Sequence, residues 1–342
     1  MKLKINTILL FTLLGCKLMA QNADLQNFID LGIQLYDKGD YTGAIEEYKK
    51  ALKIDQKSAM AHYEIASTYV ALKDYKLAIE HCEAVIAAND KYIDHAYMVK
   101  GTALDMMGKS TEAIQTYERA LEDFPNNHLI QYNLAVTAYN INDFAKAERA
   151  LQQALKIKPS HASSHLLLGY ILSDQGFRVK SLLALYNFLL LEPEGNRAKD
   201  AFNLLETELK QGVNKLDEQV TTITVDEEKS EDEFYSAELM LSLLEASKNL
   251  EDNKKKPQSV LFFETTRSFF TVLGEIKKEN KGFWWDYYVD FFYNLTKEQH
   301  VEAFSYYISL SKEDDAIYNW LNDHKVQMEA LSVWYSSYVR NY

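Results

Sequence analysis

Between Leu25 and Gly195, apolar residues recur at the three- and four-residue spacings of helices that bury one face. Residues 94–127 show the unit clearly. Gly101 and Leu104 share a face of a first helix, and Gly108 ends it. Ala113, Tyr117 and Ala120 then form the inward stripe of a second helix, which Pro125 stops. The same pattern returns at Gly32, Ala66, Gly101, Ala135 and Gly169, at intervals of 34, 35, 34 and 34 residues. Ala44, Ala78, Ala113, Ala147 and Ser181 keep those intervals twelve residues further along, and Pro125, Pro159 and Pro193 close the last three units. Such a period predicts stacked helical hairpins, a solenoid instead of a single globular core.

The turn between the two helices of each unit falls at Gly39, Lys73, Gly108, Asn142 and Gly176. Four of these five are the residues that best tolerate a left-handed backbone at a helix end. An aromatic residue follows two places on as Tyr41, Tyr75 and Phe144.

These residues resemble the tetratricopeptide repeat family over about half the chain. The family's small eighth residue matches Gly32, Ala66, Gly101, Ala135 and Gly169, and its twentieth-position alanine matches Ala44, Ala78, Ala113 and Ala147, with Ser181 a departure. Its large residue four places later matches Tyr48, Tyr117, Leu151 and Leu185, whereas Cys82 is smaller. Its next alanine matches Ala51, Ala120 and Ala154 but not Val85 or Phe188, and its closing proline is replaced by Gln56 and Asp90 in the first two units. The resemblance implies an all-α fold, a right-handed α-solenoid of five repeats over 25–195. It also implies a non-enzymatic protein-protein interaction scaffold.

In that family the second, fifth, ninth, twelfth and thirteenth positions of each first helix line a concave groove. Mapped onto this chain, the partner-binding residues are Tyr36, Tyr63, Met98, Tyr132, Tyr139, Leu166 and Tyr170, with Ile29 among the further lining positions. Across all five units these positions hold Asp37, Asp105 and Asp174 and no lysine or arginine. The basic clamp with which some family members grip a C-terminal carboxylate is therefore missing. A groove rich in tyrosine and methionine suits an apolar or mixed peptide, or a partner's helix.

Beyond the repeats, 196–212 has helical periodicity through Ala201, Leu204, Leu205 and Leu209 and is expected to cover the end of the stack. Residues 213–233 read as an acidic, solvated linker, in which 220–225 is β-branched but too short for a sheet of its own. Residues 234–342 form a separate aromatic-rich helical module around GFWWDYYVDFFYNL, Gly282 to Leu295. Aromatic residues all round a helix mark a buried central element. Asp286 and Asp290, four apart, read as structural acids. The alternative makes this module a ligand-binding or catalytic domain presented by the repeats, with a concave pocket near Trp284 and Trp285.

Charge and the N-terminus narrow the setting. A short positive start, an apolar run from Ile5 to Cys16 and Lys17-Leu18-Met19-Ala20 resemble a bacterial export signal cut after Ala20. Leu13-Leu14-Gly15-Cys16 instead resembles a lipoprotein signal, with Cys16 the lipidated residue, and an uncleaved helix is the third reading. Export places the chain in the periplasm or the outer-membrane-associated envelope, and membrane association follows only if Cys16 is lipidated. Losing Lys2, Lys4 and Lys17 with the signal would take the net charge from −13 to −16, which disfavours nucleic acid as a partner. His161 and His165 have helical metal spacing but lack the glutamate of a zinc hydrolase motif, and Cys82 reads as packing. No cofactor, metal or catalytic residue is expected.

Overall fold

The computed structural model describes residues 21–88, 91–215, 221–224 and 232–340. The candidate signal, Cys16 included, lies outside them. The chain divides into two compact units, 1–150 and 151–342.

In the first unit, α1 (21–37), α2 (Tyr41–Ile54), α3 (Ala59–Ala71), α4 (Tyr75–Ala88), α5 (Ile93–Met106), α6 (Ser110–Asp123) and α7 (His128–Asn140) alternate as first and second helices of hairpins. The division falls inside α8 (Phe144–Ile157). Each hairpin turn is built alike. Gly39, Lys73, Gly108 and Asn142 take φ values of 81, 61, 76 and 61°. The next residue then donates its N–H five residues back: Asp40 to Leu35 O, Asp74 to Tyr69 O, Lys109 to Leu104 O and Asp143 to Ala138 O. Three of those residues are aspartates whose carboxylates accept from the new helix, at Gly43 N (2.9 Å), Leu77 N (3.3 Å) and Lys146 N (3.1 Å). One left-handed residue followed by one cap thus ends a helix and starts the next.

Small residues set how closely the helices of a pair approach. Gly32 and Gly101 face the Tyr48 and Tyr117 rings, where a built Cβ would lie 2.3 and 2.4 Å from a ring carbon. In the second repeat, Ala66 shares its core cluster with the much smaller Cys82. Successive repeats are tied at the repeat spacing, by Asn127 Nδ2 to Asp94 Oδ2 (3.0 Å) and Asn140 Nδ2 to Asp105 Oδ2 (3.3 Å).

The second unit begins with the end of α8 and the fifth hairpin, α9 (Ala162–Asp174) and α10 (Arg178–Leu191). α11 (Asn196–Lys210) continues the register: Arg197 Nη2 bonds Ser163 Oγ (3.2 Å), and Ser173 Oγ bonds Glu208 Oε1 (2.5 Å). The expected covering helix is therefore placed as the first helix of a further unit. A two-stranded antiparallel hairpin follows, β1 (Val213–Lys215) paired with β2 (Thr221–Ile223) through Val213↔Ile223. The β-branched segment read as unable to form a sheet does pair, with a partner strand of three residues. Then come α12 (Tyr235–Ser247), the short α13 (Glu251–Lys254), α14 (Gln258–Lys277), a π-helical segment (Phe283–Val289), α15 (Asp290–Lys297), α16 (Val301–Ile308), α17 (Asp315–Asp323) and α18 (Lys325–Ser337). Among the described residues, no helix is long and apolar enough to cross a membrane.

The core of this unit is α10. Twelve of its residues are buried, on every face. Tyr186 at its middle meets the rings of Phe262, Phe270, Phe292 and Phe304 at 5.1–6.4 Å and bonds Thr266 Oγ1 (3.1 Å). The fifth repeat and the aromatic helices therefore share one core, and the boundary expected at 233/234 lies within it. The end of the acidic stretch is tied in as well. Asp232 and Glu233 lie 3.0 and 3.4 Å from Lys180 Nζ, and Glu233 Oε2 accepts from the Trp285 indole (2.5 Å). The rest of the acidic run, 226–231, lies outside the described residues.

Candidate partner-binding groove

The first helices of the first unit, α1, α3, α5 and α7, present the positions at which a groove was expected. Tyr36, Tyr63, Met98, Tyr132 and Tyr139 are all half-buried, each with part of its surface open. Leu129 and Met106 beside them are exposed. Tyr36 lies 5.2 Å from the Tyr41 ring, Tyr63 stacks on Tyr92 at 5.8 Å and meets His95 edge-on at 5.6 Å, and Tyr139 lies 6.0 Å from Phe144. A shallow cleft lined by His95, Met98, Phe124, Pro125 and Leu129 opens beside them.

Ile29 is fully buried with Ala44, Tyr48 and Ile65, so it packs the core and does not line a groove. In the second unit, Leu166 is only 8% exposed, which makes it core. Tyr170 is half-buried, and burial raises its pKa, with Asp200 adding and Arg197 opposing.

Tyr48, Tyr117 and Glu64 of the first unit were not foreseen as site residues. Tyr48 and Tyr117 belong to second helices, but the absence of a side chain at Gly32 and Gly101 lets their rings lie directly across the first helix. The Tyr117 hydroxyl reaches Thr102 Oγ1, a groove position, at 3.2 Å. Burial pushes its pKa up to about 12, with Thr102 opposing. Burial also raises Tyr48, and Glu64 and Asp37 add to it. Glu64, half-buried on α3, is itself held above the ordinary carboxylate range by burial and by Asp37. Asp105 is fixed by Ser110 Oγ (2.6 Å) and Asn140. A signal for Tyr48 and Tyr117 exists in the sequence: a glycine at the small position sixteen residues before the tyrosine.

Family models described as "TPR repeat" and "Tetratricopeptide repeat" match residues 32–73, 59–92 and 106–184. The chain is a tetratricopeptide-repeat protein. A tetratricopeptide repeat-containing protein of Methanocaldococcus jannaschii is 26% identical over 133 residues, covering 39% of this chain and 22% of its own length. The Hsp70-Hsp90 organizing protein of Triticum aestivum is 28% identical over 134 residues, covering 36% of this chain and 22% of its own length. This tetratricopeptide-repeat chain thus spans about a fifth of the length of those relatives. Among solved structures, a thermophilic tetratricopeptide-repeat protein of Thermus thermophilus is 22% identical, with 54% of this chain and 98% of that one covered and a TM-score of 0.45.

The other groups that invited a chemical reading are held by structural contacts. Trp284 and Trp285 are 6% and 1% exposed, in a closed core where Trp285 stacks on Phe234 at 4.4 Å. Lys277 Nζ bridges Asp286 Oδ1 (2.8 Å) and Asp290 Oδ2 (2.6 Å). His165 Nε2 lies 2.9 Å from the Pro159 carbonyl, which can only accept, so that nitrogen carries the proton and Nδ1 accepts from the Tyr288 hydroxyl (2.7 Å). Both of its nitrogens are committed, and burial, with Arg340 and His161 adding, lowers its pKa to about 3. His161 is paired with Ser164 Oγ (2.7 Å). Among the described residues, no group of three or more potential metal ligands converges. Cys82 is buried, which pushes its thiol up to about 12, as befits a packing residue.

Proposed function

We propose that this protein is a non-enzymatic interaction scaffold of the bacterial cell envelope, with the first helices of its repeats holding a peptide or helix of a partner protein. The observation that carries this reading is the row of half-buried tyrosines and methionine, Tyr36, Tyr63, Met98, Tyr132 and Tyr139, on the first helices of one array. Rigid aromatic rings with one open face supply contact area at low entropic cost, and their hydroxyls satisfy a bound backbone. The names of relatives, among them an Hsp70-Hsp90 organizing protein, support a scaffold role. The envelope location rests on the N-terminal sequence.

Tyr63→Lys and Tyr132→Lys test the groove. Each should leave the helical circular dichroism unchanged while a partner identified with the unaltered chain, after cross-linking in the envelope fraction, is no longer recovered. Recovery of that partner with both variants would refute the groove. Mass spectrometry of the mature N-terminus tests the location: a chain starting at Gln21 or a lipidated Cys16 supports export, and an intact Met1 with cytosolic fractionation refutes it.

A further inference from the structure

In the second repeat two imidazoles meet. His62, in the first turn of α3, and His81, on α4, place their Nδ1 atoms 2.8 Å apart. The other nitrogen of His62 lies 3.1 Å from the Gln56 carbonyl. A carbonyl only accepts, so Nε2 of His62 carries the proton and its Nδ1 offers a lone pair. His81 therefore donates from Nδ1, which leaves its own Nε2 bare. Both rings are half-buried, and His81 also lies 5.8 Å from the Tyr69 ring.

The groups around the pair do not welcome a further proton. From α2 it faces Lys49, which opposes one. In the loop before α3, the Asp55 carboxylate accepts from Lys57 N (3.0 Å). Glu64 is two residues from His62, about 200° round α3, and acts on Tyr36, Tyr48 and Tyr63 instead. On α4, Glu83 pairs with Lys100 of α5, and Glu80 is exposed. Among the described residues, no carboxylate bonds either ring.

The pair has room for one N–H between its facing nitrogens, and a second would put two hydrogens into a 2.8 Å gap. The two rings can therefore take up one proton at most without parting, at the bare Nε2 of His81. Burial opposes even that one, with His62 and Lys49 adding, and pushes His81 down to about 4 from the 6.5 of an ordinary imidazole. The unfolded hairpin binds two. Stability held by the closed pair is thus fully present above about pH 6.5 and is lost as pH falls toward about 4.

We propose that the His62–His81 contact is an acid-released latch between α3 and α4, which holds the second hairpin closed at neutral pH and loosens it in mild acid. This hairpin has less to hold it closed than its neighbours, because Cys82 fills the place of the Tyr48 and Tyr117 rings in a core otherwise made of Ala59, Ala66, Val85 and Ala96.

Cys82 reports the opening, since it is buried beside His81 and reacts only from an open hairpin. The full chain is treated with 4,4′-dithiodipyridine between about pH 7.5 and about pH 5, across the imidazole range. Labelling is read by mass spectrometry of the peptide holding Cys82, and each rate is divided by that of the urea-unfolded chain at the same pH. Each proton excluded from the closed pair raises the open population about 30-fold at about pH 5. The ratio should accordingly rise about 30- to 1,000-fold, for one or two protons excluded, and less than about threefold in H62Q/H81Q. An equal rise in both proteins, or a rise below about threefold in the unaltered chain, overturns the latch. Exchange of the histidine C2 hydrogens, followed by mass spectrometry, needs no variant. At most one of the two rings protonated above about pH 5 supports the latch, and both half-protonated near about pH 6.5 overturns it.

Discussion

Gly101→Ala should destabilise the first unit, and the reason can be isolated by experiment. A built Cβ at this position lies 2.4 Å from both Cε1 and Cζ of Tyr117 and 2.9 Å from its hydroxyl, distances at which something must move. The ring has nowhere to go, because Tyr117 is 1% exposed and its hydroxyl is held by Thr102. Overpacking of this kind costs about 1–3 kcal/mol. Against it stands a helix-propensity gain of about 1 kcal/mol on replacing glycine by alanine. The net loss in the single variant should therefore be only about 0–2 kcal/mol, too small to be diagnostic alone. The decisive quantity is the coupling. In a Tyr117→Cys background, which copies the Ala66–Cys82 pairing of the second repeat, the clash is gone and only the propensity gain remains. There Gly101→Ala should stabilise by about 1 kcal/mol, giving a coupling energy of about 1–3 kcal/mol in which propensity cancels. Urea unfolding of the four proteins in reducing buffer, followed by circular dichroism, measures it. Additive effects, with a coupling below about 0.5 kcal/mol, would refute the argument that the glycine exists to admit the ring.

Other outcomes follow from the second unit. Burial makes the folded His165 bind its proton far less readily than an ordinary imidazole of pKa 6.5, so the unfolded chain takes up the proton first. Stability should fall as pH drops below about 6.5 and level off near 3, with a loss of about 2 kcal/mol by pH 5, and His165→Gln should flatten that slope in urea melts at pH 7 and 5. Arg178, 4% exposed, donates to the carbonyls of Glu208 (2.6 Å) and Leu209 (2.7 Å) at the end of α11 and to Ser242 Oγ (2.7 Å) on α12. Arg178→Ala should cost about 3 kcal/mol and speed hydrogen exchange at the last turn of α11. Gly274→Ala would set a methyl 2.0 Å from the Tyr293 ring, and after the same helix-propensity gain the net loss should be about 0–2 kcal/mol, read as a thermal melt lowered by up to several degrees.

What could be read in the chain beforehand was whatever depends on local geometry. The left-handed turn residues sit where they were expected, and Lys73, the one unsuited by type, takes the same conformation at φ 61°. Groove positions on α1, α3, α5 and α7 could be counted from the repeat phase, because each lies at a fixed offset from its small residue. Ile29 and Leu166 were misjudged because an offset gives the direction of a side chain and says nothing of what covers it. The same blindness hid the extent of the second core. The run RVKSLLALYNFLLL departs from the family pattern at Ser181 and Phe188, and drift at an array's end explains that as well as burial on all faces does. Only the helices that supply Phe262, Phe270, Phe292 and Phe304 decide between them. The β1–β2 pair depends on three residues finding three others, a register no periodicity announces.

The burial of α10 on every face limits how this protein can change its number of repeats. An ordinary hairpin in such an array touches only its neighbours, so whole units can be duplicated or lost while the remainder still stacks. The hairpin of α9 and α10 has no such freedom, because its second helix is also the centre of an aromatic core drawn from residues 262–304. Deleting it would strand those rings, and copying it would yield a helix with bare hydrophobic flanks. Growth and loss of repeats are therefore open to the hairpins before it and closed at this one. An array of this kind can lengthen its grip at one end while the other stays fixed in kind.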